Sequence, residues 1–297
     1  MTHIPDNTDS PRGLAFAITA YLLWGVLPLY MKALAHIPPT EVVAHRIVWS
    51  VPIAGLLLVL LGRTRDIATA FRSPRTLAMG CVTAGLVSVN WGVYVWAIAT
   101  DRALDAALGY YINPLFSIFL GAVLLGERLT RAQMVAIALA AAAVVVLTID
   151  AGTLPWPALA LTFSWGMYAF FKKSLPIGPN QGFMLEVLIL LIPALGYLGY
   201  LTATGASHFT ETPSNTALLL GCGLVTAVPL ITYANGAKLL RLSTVGILQY
   251  IVPTMIFLFA VFWFGEPFGR ARMIAFPMIW AALVIYTWSM LRSARSA

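Results

Sequence analysis

The sequence predicts an all-α polytopic membrane protein with ten transmembrane helices arranged as two inverted five-helix repeats. Hydrophobic residues make up 60% of the 297-residue chain and charged residues 10%, with a mean hydropathy of +0.86, a balance foreign to soluble globular proteins. Apolar runs near the ~20 residues needed to cross a bilayer recur along its whole length. One stretch also returns: residues 108–129, LGYYINPLFSIFLGAVLLGERL, match residues 247–268, ILQYIVPTMIFLFAVFWFGEPF, at a constant offset of 139. Tyr111 and Ile112 fall on Tyr250 and Ile251, Pro114 on Pro253, and Gly126-Glu127 on Gly265-Glu266.

Taken in order, the spans are expected at residues 13–34, 40–62, 76–99, 104–125, 131–149, 155–173, 181–203, 215–238, 243–264 and 270–291. Residues 1–12 and 293–297 are expected as cytoplasmic tails, 13–150 as the first repeat and 151–292 as the second. The first twelve residues lack the basic region and small-residue cleavage site of a secretory leader, so a retained N-terminus is expected. The early spans of the two halves align at an offset of 141: Trp24-Gly25 with Trp165-Gly166, Lys32 with Lys173, Pro52 with Pro193, Gly80-Cys81 with Gly221-Cys222. After a two-residue slip, Tyr94 meets Tyr233 and Arg102 meets Arg241. Five spans per unit is odd, so the second copy enters the bilayer from the opposite side, as in inverted-repeat transporters.

Thirteen basic residues fall on one side of this topology: Arg12, Arg63, Arg65, Arg72, Arg75, Arg128, Arg131, Lys172, Lys173, Lys238, Arg241, Arg292 and Arg295. Only Lys32, Arg102, Arg270 and Arg272 fall on the other, and Arg46 lies inside a span. The positive-inside rule then puts both termini in the cytoplasm of a bacterial-type inner membrane. The net charge of +7 follows from topology and calls for no nucleic-acid partner. Cys81 and Cys222, repeat-equivalent and so expected toward opposite faces, are not expected to form a disulfide.

Pro114 and Pro253 each remove one i to i−4 hydrogen bond, leaving the carbonyls of Tyr110 and Gln249 to face protein or water rather than lipid. They and the paired Pro52 and Pro193 are the expected helix breaks or hinges, and such paired interruptions point to a transporter's binding site. A proline that only kinks its helix for packing is the plainer reading.

Further motifs make the family specific. Trp24-Gly25 early in the first span and Gly126-Glu127-Arg128 after the fourth resemble the EamA family of the drug/metabolite transporter superfamily. The runs His45-Arg46-Ile47-Val48-Trp49-Ser50, Asn90-Trp91, Gly109-Tyr110-Tyr111-Ile112-Asn113-Pro114-Leu115 and Gly126-Glu127-Arg128-Leu129 resemble its RarD-like branch, over residues 13–292. The resemblance implies the EamA-type fold and a permease, an exporter of small metabolites. The second half departs from the first, with Glu186-Val187 in place of His45-Arg46 and Gln249-Tyr250 in place of Tyr110-Tyr111, so a chemically lopsided pocket is expected.

Ionisable groups within spans are functional candidates because each is expensive in lipid. Arg46 either grips a substrate carboxylate or phosphate through a bidentate fork or serves structurally by binding carbonyls or snorkelling outward. Glu186 either carries a coupling proton or substrate amine or pairs with Lys172 or Lys173. His45 either relays protons or hydrogen-bonds a neighbouring helix. Helical depth separates Arg46 from Glu186, so no direct pair is expected between them.

Aromatic and polar candidates for the substrate pocket are Trp24, Trp49, Asn90, Trp91, Tyr94, Tyr110, Tyr111, Asn113, Trp165, Tyr168, Tyr233, Gln249 and Tyr250. Asn90 and Tyr94 share one helix face, as do Tyr110, Asn113 and Pro114, and two such faces meeting would form aromatic walls with a few polar fixings. Trp156, Trp263 and Trp288 fit an interfacial belt instead.

Zinc spacings, phosphate loops and catalytic clusters are absent from the sequence, so no metal, no cofactor and no enzymatic activity are expected. The leading expectation is a secondary transporter of amphipathic metabolites, amino acids or related compounds, working by alternating access. Multidrug or organic-cation efflux is the transport alternative, and a membrane sensor or lipid-modifying enzyme the alternative of another class. The expected partners are a small-molecule substrate and the lipid bilayer, with a monomer expected and a homodimer as the other state.

Overall fold

The computed structural model describes residues 10–125, 129–237, 239–240 and 242–296, all helix and connection without a strand. Gly126-Glu127-Arg128, Lys238, Arg241 and residues 1–9, used in the sequence argument, lie outside the described residues.

The helices are α1 (Pro11–Ala33), α2 (Pro39–Leu60), α3 (Arg65–Arg72), α4 (Pro74–Ala99), α5 (Ala103–Leu125), α6 (Arg131–Ala151), α7 (Trp156–Ser174), α8 (Pro179–Ala203), α9 (Pro213–Ala237), α10 (Leu242–Leu248), α11 (Ile251–Leu258) and α12 (Arg270–Ser296), with a π-helical turn at Phe259–Trp263. Local chemistry sets the boundaries. Five of the long helices open on proline, which has no N–H to lose in a first turn. Helix α6 opens on a reciprocal cap between Thr130 and Gln133 and ends at Gly152, whose φ of 66° suits a residue without Cβ.

Eight helices, α1, α2, α4, α5, α6, α8, α9 and α12, are long and apolar enough to cross a membrane. The expected count of ten rests on α7, of 19 residues, and on the shorter apolar run Ile251–Trp263, in sixth and ninth place. Two features depart from the sequence reading, and a third, the break at Pro253, follows it. The connection 61–73 contains α3, too short and polar to span and packed on α4 and α8. The ninth segment is broken, because Pro253 offers no N–H to Gln249; Val252 bonds that carbonyl at 3.4 Å and Thr254 bonds Tyr250 at 3.2 Å, tightening the turn between α10 and α11. By contrast α2, α5 and α8 run unbroken through Pro52, Pro114 and Pro193, so these three do not mark helix breaks.

Helix packing repeats between the halves. Contacts of α1 with α9, α5 with α7, and α2 with α9 have counterparts in α7 with α4, α11 with α1, and α8 with α4, while α2 and α8, α5 and α11, and α6 and α12 pair across the same axis. The helix ends show the sense of each element. On one face, Lys32 in the last turn of α1 lies 2.5 Å from Asp101 after α4, Trp96 of α4 packs 4.8 Å from Trp156 opening α7, and Arg272 of α12 reaches Asp105 of α5 at 3.4 Å. Glu266 lies on the same face, after the turn at Gly265 with its φ of 67°, and accepts the first backbone N–H groups of α5 from Ala103 at 2.5 Å and Leu104 at 3.0 Å. On the opposite face Ser10, before α1, bonds Leu239 after α9 at 3.2 Å. Helix α1 therefore runs toward the face from which its repeat counterpart α7 departs.

Candidate functional site

Arg46 stands about two turns into α2, with its side chain turned inward rather than to the helix exterior. Its position depends on a close approach by α9. A Cβ on Gly223 would sit 2.2 Å from the carbonyl oxygen of Trp49, so only glycine lets the two backbones meet there. That approach brings Thr226 to Arg46, whose Nε donates to the Thr226 hydroxyl at 3.0 Å, and sets buried Cys222 within electrostatic range of the guanidinium. From α4, Trp91 offers its ring face at 4.8 Å from Cζ, a cation–π contact.

The guanidinium is 3% exposed by residue, its Nη1 has no hydrogen-bond partner, and no carboxylate pairs with it among the described residues. A buried cation without a counter-charge is costly by several kcal/mol. The groups around it are short of acceptors. Tyr94, also within electrostatic range, has a buried hydroxyl without a partner, and so does the side-chain nitrogen of Asn113, one turn from Tyr110 on α5. Tyr110, third in the electrostatic neighbourhood of Arg46, donates instead to Asn90 Oδ1 at 3.1 Å, while Asn90 Nδ2 donates to Ser164 Oγ at 3.0 Å and to the Leu161 carbonyl at 3.3 Å.

His45 adds one more donor. Trp49 Nε1–H donates to His45 Nδ1 at 3.0 Å, so the neutral ring carries its proton on Nε2, which is buried without a partner. Phe209 from the α8–α9 connection stacks on His45 at 4.9 Å and on Trp49 at 6.0 Å. Arg46, Tyr94, Tyr110, Asn90 and Trp91 thus meet, and Arg46 Nη1, His45 Nε2 and Asn113 Nδ2 are buried donors without a partner.

The remaining candidates divide into other groups. Trp165 meets Tyr110 edge-on at 6.5 Å and Tyr168 at 5.4 Å, continuing the aromatic wall across α7. Beyond it Glu186, 1% exposed, accepts from Lys172 Nζ at 2.6 Å and from the Tyr168 hydroxyl at 3.1 Å. The pairing with Lys172 is what the structure shows, and Glu186 stands apart from Arg46 as depth predicts. Trp24 and Tyr233 form a trio with Tyr21 between α1 and α9, at 5.5 to 5.9 Å. Tyr111 turns away from Tyr110, toward Phe276 and Trp280 of α12, with its hydroxyl 2.8 Å from Thr254. Gln249 and Tyr250 occupy the break before α11, and Pro114 and Pro253 are buried.

Residues the sequence reading passed over as site candidates are Thr226, Cys222 and Ser164, whose small polar side chains carry no motif, and Glu41, His208 and Phe209 at the start of α2 and in the α8–α9 connection. Of these only Cys222 had a signal, its match to Cys81. Among the described residues no group of three or more His, Cys, Asp or Glu side chains forms a metal-binding cluster.

The fold recurs in known proteins. The EamA-like transporter family matches residues 11–149. Protein RarD of Streptomyces exfoliatus is 43% identical over 290 residues, covering 97% of this chain and 92% of its own. An uncharacterized transporter of Vibrio cholerae serotype O1 is 40% identical over 294 residues, covering 99% and 97%. A crystal structure superposes with a TM-score of 0.61 at 22% identity over 96% of this chain and 99% of its own, a likeness of fold. The chain belongs to the EamA-like transporter family, in its RarD-like branch, and is a multi-pass membrane transporter of the drug/metabolite transporter superfamily.

Proposed function

We propose that this transporter exports small amphipathic metabolites bearing an anionic group, amino acids and related carboxylates, across the inner membrane by alternating access, with both termini cytoplasmic. The single observation that carries the reading is Arg46: a buried guanidinium stacked on Trp91, with Nη1 free and no carboxylate beside it among the described residues. A substrate carboxylate supplies the missing charge and accepts from Arg46 and Tyr94, while Trp91, Tyr110 and Trp165 hold an apolar body. Alternating access follows from two oppositely directed halves around one site, with the break at Gln249–Tyr250 and the buried Pro114 as flexing points. The orientation rests on the distribution of basic residues.

A thermal-stabilisation panel tests this directly, because a ligand that binds only the folded protein raises its Tm. Carboxylates with an aromatic or branched body are expected to stabilise the purified protein, and the same compounds as amides are not. Arg46→Ala is expected to abolish the shift and Arg46→Lys to keep part of it, since an ammonium restores charge without the fork. Stabilisation by organic cations, retained in Arg46→Ala and lost in Glu186→Gln, would select multidrug efflux instead.

A further inference from the structure

The outer ends of α2, α8 and α9 hold a second polar centre. Glu41, fully buried in the first turn of α2, is the acceptor for the α8–α9 connection. The His208 backbone N–H reaches Oε1 at 2.8 Å, His208 Nδ1 lies 2.7 Å from Oε2, and Ser207 Oγ is 3.5 Å from Oε1. The next residue, Phe209, is the ring laid over His45 and Trp49, and its carbonyl is held by the Thr216 hydroxyl of α9. Glu41, His45 and Trp49 follow one another at i, i+4 and i+8 along α2, and Arg46 adjoins His45. One carboxylate therefore fastens the segment that caps the stripe leading inward to the anion site.

We propose that Glu41 is the proton-binding site of this transporter: a proton taken from the outer side releases the His208–Phe209 segment and opens the Arg46 site outward. The inference rests on the transport reading and adds the group that links it to protons. An ionised carboxylate only accepts, and all three of its partners here present donors. Protonation removes the charge that strengthens all three bonds and leaves the backbone N–H of His208, which can only donate, with a weaker acceptor. Linkage runs both ways: a proton that favours the open arrangement is itself favoured by it. Only an O–H bond forms and breaks. The titratable groups around Glu41 are His45 on α2, His208 on the connection, His36 and Glu211 joined through Asn215 at the start of α9, and Tyr197 of α8, joined through Thr40.

The chain carries its own reporter. Cys222 is buried beside Arg46, and Cys81→Ser removes the only other thiol. In that background, right-side-out vesicles are labelled with a membrane-impermeant maleimide, and the rate for Glu41→Gln is divided by the rate with Glu41 intact. The ratio cancels the pH dependence of the thiol reaction itself. It is expected to be about tenfold at about pH 8 and to fall toward unity only at about pH 4, in the ordinary carboxylate range, as protons then open the unsubstituted protein too. His208→Ala, which keeps the carboxylate but removes its ring partner, is expected to raise labelling at the higher pH and serves if Glu41→Gln does not fold. A ratio of unity at every pH, or an elevated ratio that ignores pH, overturns the proposal. Carboxylate stabilisation retained in the same samples would then leave the transport reading standing.

Discussion

A buried cation, Arg46, and a half-buried one, Lys172, stand in opposite electrostatic situations. Lys172 has Glu186 at 2.6 Å and a ring contact with Tyr168, so its charge is answered within the protein. Arg46 has a ring face and a hydroxyl but no anion, so its answer is expected from a ligand. Glu186→Gln is accordingly expected to leave carboxylate binding close to normal while lowering Tm. Removing one partner of a buried pair typically costs about 3–5 kcal/mol, less here because the Lys172 side chain keeps 19% of its surface. Unfolding in detergent followed by intrinsic fluorescence, with and without carboxylate, separates the two effects; loss of binding at unchanged Tm would move the site to Glu186. Arg46 and Glu186 were visible in the sequence because charge inside an apolar run is conspicuous. Their partners were not, since Thr226 and Trp91 come from helices 180 and 45 residues away and share no pattern with them.

Among the helices, the decisive contact is α9 against α2. Gly223→Ala places a methyl group 2.2 Å from the Trp49 carbonyl, and because the neighbour is backbone the helices must separate. That variant is expected to lower Tm by several degrees and to abolish carboxylate stabilisation, because Thr226 and Cys222 move away from Arg46. Gly92→Ala, inside α4 with open space around its Cα, is the matched control, expected to keep Tm or raise it slightly. Equal behaviour of the two would show that the approach at Gly223 does not position the site. Hydropathy located these helices to within a few residues because span length follows bilayer thickness. It missed α3, which lies in a connection; the break at Gln249–Tyr250 was signalled by Pro253 and not by hydropathy, since the run is as apolar as its intact counterpart around Pro114.

For the molecule as a whole, the repeat was the most legible feature. Matches at offsets of 139 and 141 survive between the halves, and the helix contacts pair by the same correspondence. The repeat also explains a feature that spacing alone left open: Gly265-Glu266 turns the chain and caps α5 of the other half, a role with a physical need for both residue types. The mismatch between the copies that the sequence displays recurs at the centre of the structure, where Arg46 is buried beside Trp91 and Val187, its equivalent, is plain core. A two-fold scaffold around a one-sided anion site is the central claim, and counterflow in liposomes tests it most directly. Vesicles containing the purified protein and loaded with a stabilising carboxylate are expected to accumulate the labelled compound well above protein-free vesicles, and Arg46→Ala vesicles to match the protein-free ones. Flux at the protein-free level for every carboxylate tried, or flux undiminished in Arg46→Ala, would contradict it.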